Sequence, residues 1–366
     1  MKKGLRIGTK ISLTFLAVFV SVLLLVFAVI GSFFYAAVLE REVSRLEVMA
    51  DSTADHIETY LGKSMMGLRL ILGRIRLREF WDGYIESGKA EYLEGIQKMM
   101  ETAEDAAADI ERIMLADVSG RVMVSTDEDF IGKDISKEGF FTREETIHFF
   151  QENGEYKIFV SGPLLTSGGV TGVGVMVLKT GVLTDIITGI AGRGKTGEVL
   201  VVFRDSSGKI NLPIKRRFEE EAIWRGQEGS IPVSTREALS GKIRVMFGVE
   251  DYRGRKVIAA TGYARTANLA LVAKVDEEEA YEEARKTILW LGAIFVLSVM
   301  LFFVVGNIVS RRITSSLAAL RKGAEVIGAG DLKHRINITT NDEVGELSRA
   351  FDKMTMELQG TTTSRE

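Results

Sequence analysis

ISLTFLAVFVSVLLLVFAVIGSFFYAAVL, residues Ile11 to Leu39, and TILWLGAIFVLSVMLFFVVGNIVS, residues Thr287 to Ser310, contain no charged side chain. At roughly 1.5 Å of helical rise per residue these runs reach about 43 Å and about 36 Å, against a hydrocarbon core of about 30 Å. Both are long enough to cross a bilayer. Lys2, Lys3, Arg6 and Lys10 precede the first run, and Arg311, Arg312, Arg321 and Lys322 follow the second. On the opposite flanks Glu40, Glu42, Glu277, Glu278, Glu279, Glu282 and Glu283 outweigh Arg41, Arg45, Arg285 and Lys286. Because cytoplasmic loops carry the Lys and Arg excess, both termini are expected in the cytoplasm and residues 39–286 outside, in a multi-pass protein of the inner (plasma) membrane. A cleaved signal peptide would have a shorter apolar core and a small-residue exit before Glu40.

Composition narrows the setting. The chain has no cysteine, so the exterior segment holds no disulfide and no thiolate-bound metal. A formal net charge of -3 supplies no basic footprint, and no nucleic-acid partner is expected. The only prolines are Pro163, Pro213 and Pro232, so neither apolar run carries a proline kink.

Within residues 39–286 the hydrophobic period changes with position. Val43, Leu46, Ala50, Ala54, Ile57, Leu61, Met65 and Leu68 recur at helical spacing, which predicts a long stalk from Leu39 to about Leu77; a second helix is expected from about Glu91 to Ala107. Short apolar runs then flank turn residues: Ile113 to Val118 and Arg121 to Ser125 about Ser119-Gly120, and Lys157 to Leu165 and Val170 to Leu178 about Ser167-Gly168-Gly169. The pattern repeats at Glu198 to Arg204, Lys209 to Leu212, Ile243 to Val249, Lys256 to Tyr263 and Leu269 to Val275, with a helix at Val182 to Ile190 between the two sets. The expected class is α+β, with two small modules on one stalk at about 80–182 (distal) and 183–276 (proximal).

Gly194-Lys195-Thr196-Gly197-Glu198-Val199, Asp251-Tyr252-Arg253-Gly254-Arg255-Lys256-Val257 and Ala273-Lys274-Val275-Asp276-Glu277-Glu278-Glu279-Ala280 resemble the membrane-proximal half of a double Cache sensor. Asp117-Val118-Ser119-Gly120 and Ile131-Gly132-Lys133-Asp134-Ile135-Ser136 resemble its distal half. The resemblance implies a pair of PAS-like folds with a small-molecule pocket most often in the distal one.

After the second apolar run, Ile313, Leu317, Leu320, Ala324 and Ile327 form one heptad seam, and Val344, Leu347, Phe351, Met354 and Leu358 form another. Gly328, Gly330, Asp331 and Leu332 end the first helix, and Thr340 with Glu343 offers a capping box for the second. Two short helices cannot bury these seams alone; a second copy of the chain would close a parallel four-helix bundle. Residues 311–358 closely resemble a HAMP domain, with Gly330-Asp331-Leu332 and Asp342-Glu343-Val344-Gly345-Glu346-Leu347 as its signature. Ser316 stands where HAMP sequences usually place proline, so the membrane helix is expected to continue into the first seam. The expected division is therefore a cytoplasmic N-terminus 1–10, spans at 11–38 and 287–310, and a linker 359–366 that resembles the approach to the PAS module of a sensor histidine kinase.

Reactive constellations are few. Gly189-Ile190-Ala191-Gly192-Arg193-Gly194-Lys195-Thr196 matches the P-loop letters, but a helical segment precedes it and a strand follows, the reverse of a phosphate-binding loop. His56, His148 and His334 lack metal-ligand spacing, and Asp127, Glu128, Asp129 and Asp134 lack the order of a calcium loop. No catalytic residue, metal or cofactor is expected in the residues present. The candidate ligand contacts are Phe140, Phe141, Arg143, His148, Phe149, Tyr156, Phe159 and Ser161, which combine apolar walls with polar anchors, together with Lys179. Arg143 has a guanidinium fork suited to a carboxylate. The resemblance implies that amino-acid-binding members of the family carry an Arg-x-Trp run before this strand and an Asp at the end of the last one; Thr142-Arg143-Glu144 stands at the first place and Lys179-Thr180 near the second, and Lys179 favours an anionic ligand. The expected function is transmembrane reception of an exterior small molecule by a homodimer, relayed through HAMP to a histidine kinase. A methyl-accepting chemotaxis receptor and a non-signalling membrane assembly protein are the alternatives.

Overall fold

The computed structural model describes residues 7–191, 194–205, 207–222, 224 and 231–363. Lys2, Lys3, Arg6, the Gly192-Arg193 pair and the last three residues of the linker lie outside them. The chain divides into two units, Ala37–Glu283 on the one hand and Met1–Ala36 with Ala284–Glu366 on the other.

The first apolar run and the stalk form one helix, α1 (Ile7–Leu72). The stalk stops earlier than its periodicity suggests: Gly73 and Arg74 break the chain before α2 (Ile75–Ser87), and α3 (Ala90–Asp105) follows. Leu77 and Trp81 on α2, and Ile96 and Met100 on α3, lie four residues apart and are fully buried. Each such side chain contributes about 1.5–3 kcal/mol on leaving water.

A first antiparallel sheet contains β1 (Ile110–Asp117), β2 (Val122–Ser125), β3 (Thr146–Glu152), β4 (Glu155–Thr166) and β5 (Gly169–Lys179), ordered β2-β1-β5-β4-β3. After α4 (Gly181–Ala191), a second contains β6 (Glu198–Arg204), β7 (Ile210–Asn211), β8 (Val245–Glu250), β9 (Lys256–Ala264) and β10 (Leu269–Asp276), ordered β7-β6-β10-β9-β8. The two orders are the same. The α+β class with two antiparallel sheets is thus as expected. β3 was not anticipated, although its turn is written in the sequence. Asn153 and Gly154 both take positive φ, 52° and 85°, as a two-residue hairpin loop requires.

Strand alternation gives each sheet two faces. On the inner faces Ile113, Leu115, Ile158, Val160, Met176 and Leu178 of the first sheet join one buried cluster with Val199, Val201, Ile258, Leu271 and Ala273 of the second. The cover for both comes from α1, through Leu46, Ala50, Ile57, Leu61, Leu68 and Leu72. The outer face of the second sheet packs beneath α5 (Val233–Leu239), with Leu200, Val202, Ala259, Val272 and Trp224 in its cluster.

α6 (Glu277–Ala280) leads into α7 (Glu282–Gly328), which runs unbroken through Ser316, and α8 (Glu343–Thr363) follows a connector. Phe19 of α1 and Phe302 of α7 stack at 4.0 Å between ring centroids. The cap of α8 is Asp342 rather than Thr340: its carboxylate accepts the Gly345 N–H at 3.0 Å and the Thr340 hydroxyl at 2.6 Å. Gly345 is required there, since a Cβ would stand 1.8 Å from the Thr340 carbonyl oxygen. The connector is held to α8 by polar groups. Asp352 accepts the N–H of Ile336 at 2.7 Å and of Asn337 at 3.1 Å, and the Ser348 hydroxyl accepts that of Ile338 at 3.1 Å. The apolar seam residues Ile313, Leu317, Leu347, Met354 and Leu358 stay exposed within the single chain.

Candidate functional site

The outer face of the first sheet is where the candidate ligand residues converge. A bulge in β1 between Ile110 and Arg112 breaks the alternation, and Glu111 and Arg112 both meet partners on this face. Beyond the bulge Met114 and Ala116 pack with Val173, Val175 and Val177 of β5 and Phe159 of β4. The segment ahead of β3 covers them. Its Phe140 ring stacks on Phe159 at 4.2 Å and meets Phe150 edge-on at 5.6 Å, while the buried Ser161 hydroxyl donates to the Phe140 carbonyl at 2.6 Å.

Seven of the nine residues named from sequence fall on, beside or at the end of this face. Phe140, Phe159 and Ser161 are buried together, and Phe141 packs against the same cluster. His148 lies directly across from Phe159 in the β3–β4 ladder; its partial burial pulls the imidazole pKa below its ordinary value. Arg143 is exposed, and its Nη2 donates to the Val118 carbonyl at 3.3 Å.

Phe149 and Tyr156 are placed elsewhere. Strand alternation turns them to the inner face, where both rings meet Phe203 of the second sheet at 5.4 and 6.0 Å. The Tyr156 hydroxyl donates to Asn211 Oδ1 at 3.0 Å. They join the two modules to one another. Lys179 pairs with Lys157 in the β4–β5 register at the end of the face, and its Nζ donates to the Ala108 carbonyl at 3.3 Å.

A charged group at this end was not found from sequence. The Arg112 side chain is 4% exposed and ion-paired to Glu152 at 2.6 Å, with Asp127 at 3.9 Å. Its guanidinium lies 3.9 Å from the Phe130 ring centroid, and its Nε has no hydrogen-bond partner among the described residues. Lys157 binds Glu111 and also reaches Glu152 at 3.6 Å. The available signal was a lone Arg inside an apolar strand, which rarely goes into a core unpaired. Chemically the face offers an aromatic floor beside a paired cation with one donor to spare.

The second module carries a denser charged group. Lys274 binds Asp251 and lies 3.1 Å from Glu198; Arg253 binds Asp251 at 2.7 Å and also Asp276. The Tyr252 hydroxyl donates to Glu198 at 2.7 Å, and burial with the adjacent Glu198 charge pushes the phenol pKa up. Each carboxylate in this group has a partner, so its role is to fix the β9 and β10 ends in place. Among the described residues no three His, Cys, Asp or Glu side chains are grouped to hold a metal.

Residues 308–360 match the HAMP domain family. The sensor protein SrrB of Staphylococcus aureus is 33% identical over 70 residues, 18% of this chain and 12% of that protein, so the chain spans about an eighth of that relative's length. Among solved structures, the sensory domain of the Campylobacter jejuni chemoreceptor Tlp3 (CcmL) with isoleucine bound has a TM-score of 0.49 at 12% identity, covering 68% of this chain and 97% of that one. The extracellular domain of rpHK1S-Z16 gives 0.46 at 14% identity, with coverage of 65% and 95%. The sensor domain of the V. cholerae histidine kinase DctB gives 0.44 at 12%, with coverage of 66% and 98%. The chain therefore carries a HAMP domain at residues 308–360, begun on the same helix, α7, that holds its second apolar run.

Proposed function

We propose that this protein is a transmembrane receptor that binds an exterior small molecule and passes the change through its HAMP domain to a cytoplasmic output. The observation that carries this is the continuity of α7, which joins an apolar run long enough to span a bilayer to the HAMP segment without a break. The basic flanks at the N-terminus and after Ser310 support cytoplasmic termini. The repeated strand order supports a double Cache sensor, with the first sheet distal to the membrane. A homodimer is supported by the seam residues that stay uncovered in one copy while polar groups hold the connector. The proposed output is a histidine kinase, with a chemotaxis array as the alternative; the relative matched over the HAMP region is a sensor protein.

Ligand binding is assigned to the outer face of the first sheet, with Phe140, Phe141, His148, Phe159 and Ser161 as wall and floor, and Arg143, Lys179 and Arg112 as cations for an anionic ligand. Ligand acts by binding two conformations of this face unequally.

The test uses the full chain in lipid nanodiscs. Small organic anions are screened by thermal shift, and cross-linking between copies is read at Ile313→Cys and Leu317→Cys, which the cysteine-free sequence permits. A compound that raises the melting temperature and changes cross-link yield supports the proposal. Binding without any change in yield removes the relay.

A further inference from the structure

Three elements of the Ala37–Glu283 unit meet around Thr196. The Gly194–Thr196 turn lies between α4 and β6, and two consecutive backbone N–H groups, of Lys195 and Thr196, donate to Glu279 Oε1 and Oε2 at 2.8 and 2.7 Å. The Thr196 hydroxyl donates to the same carboxylate and accepts the Asp276 N–H at 3.0 Å. Lys195 Nζ reaches Glu282 at 3.3 Å. From α1, Arg45 pairs with Glu42 at 3.3 Å. Burial would raise the Glu279 carboxyl, but the Thr196 hydroxyl, the two N–H groups and the Arg45 charge outweigh it and hold the pKa below its ordinary value.

The letters that match a P-loop thus hold a carboxylate of their own chain. That carboxylate belongs to α6, the last element before the outgoing helix α7. α4 precedes the turn in sequence and is separated by one residue from β5, the strand that supplies Val173, Val175 and Val177 to the candidate ligand face. In chain order one strand, one helix and the turn therefore lead from that face to the partner of Glu279, ahead of the second sheet.

We propose that the Gly194–Thr196 turn is a latch on the outgoing helix, with Glu279 as its bolt. Seated, Glu279 ties α6 to the Gly194–Thr196 turn; displacement of the turn by ligand unseats it and frees the start of α7. This rests on the receptor function proposed above.

The experiment uses the full chain in nanodiscs with Leu317→Cys in the background, without ligand. Glu279→Gln sets an amide donor where a carboxylate oxygen accepted, and Thr196→Val removes the hydroxyl. Each is expected to speed hydrogen exchange at residues 281–285 about tenfold, the effect of losing a charged hydrogen bond, and to shift cross-link yield at position 317 in one common direction. The double substitution should add little, because both remove the same contact. Glu278→Gln, at the exposed neighbouring side chain, should change neither. Unchanged exchange overturns the latch, and so does faster exchange with unchanged cross-linking, which would leave the contact merely structural. If the parent Leu317→Cys protein does not cross-link at all, the relay through a dimer fails, and the latch with it.

Discussion

Lys274 and Asp251 form an ion pair in which the two side chains are 1% and 2% exposed, with the Tyr252 ring centroid 4.1 Å from the ammonium. Such burial costs several kcal/mol per ion and is offset only when each charge is also hydrogen-bonded elsewhere. Here it is. Burial alone would raise the Asp251 carboxyl, but Lys274 and Arg253 outweigh it and hold the pKa below 3.8.

Asp251→Asn leaves Lys274 and Arg253 short of an anion and should destabilise the fold by about 3–5 kcal/mol. Pairing it with Lys274→Met should recover much of that loss. Because the folded pKa is depressed, the Asp251 contribution is complete above pH 3.8 and disappears as pH falls through the folded value. Urea unfolding at pH 7 and at pH 3 measures both effects. Equal stability of wild type and Asp251→Asn at pH 7 would contradict the assignment.

His148 gives a dependence of the same sign in a higher pH range. Burial lowers its folded pKa below 6.5, so the unfolded chain takes up the proton first as pH falls. Stability should be unaffected above about pH 7 and should decline below 6.5, down to the folded value. His148→Gln should flatten that part of the profile. An unaltered slope between pH 7 and 5 would show that the ring is hydrated.

Arg143 and Phe140 should separate ligand binding from folding. Arg143 is exposed with a single 3.3 Å bond to a carbonyl, so Arg143→Ala should leave the ligand-free melting temperature unchanged while weakening an anionic ligand by about 1.5–3 kcal/mol. Phe140→Ala removes a ring buried against Phe159 and should cost about 3–5 kcal/mol of stability. Calorimetry and thermal melts on the same variants decide between them. A lowered melting temperature for Arg143→Ala would return that residue to a structural role.

In the HAMP segment, Leu320→Asp should abolish cross-linking at Leu317→Cys, because a seam charge without a partner costs several kcal/mol. Ser316→Pro should disturb the helical period of cross-linking across positions 308 to 320, since α7 passes through Ser316 without a break. An undisturbed period would show that the helix already ends there in the membrane.

Local pattern made much of this architecture legible. The paired apolar runs around Ser119-Gly120 and Ser167-Gly168-Gly169 became hairpins, and the helical repeat through Leu46 and Ile57 became the buried side of α1. Where the period was short or mixed, legibility failed. β3 contains Gln151 and Glu152 beside His148, so its alternation is blurred, and only Asn153-Gly154 announced the turn. The site was half legible for a related reason. Period two on β4 places Phe159 and Ser161 together, and the same rule would have set Tyr156 on the other side. The Arg112–Glu152 pair joins residues 40 apart in sequence, a relation that no local window contains.

The use of one helix as cover for both sheets bears on how such a protein can be cut or recombined. Leu46, Ile57, Leu68 and Leu72 sit in a single buried cluster with strands from both modules. A gene fusion that swapped residues 110–179 alone would import a sheet shaped to a foreign wall, and a joint placed within residues 46–72 would strip one sheet of its cover. The smallest transferable piece is the whole Ala37–Glu283 unit, so a new specificity is better grafted by replacing side chains on the outer face of the first sheet than by exchanging the module.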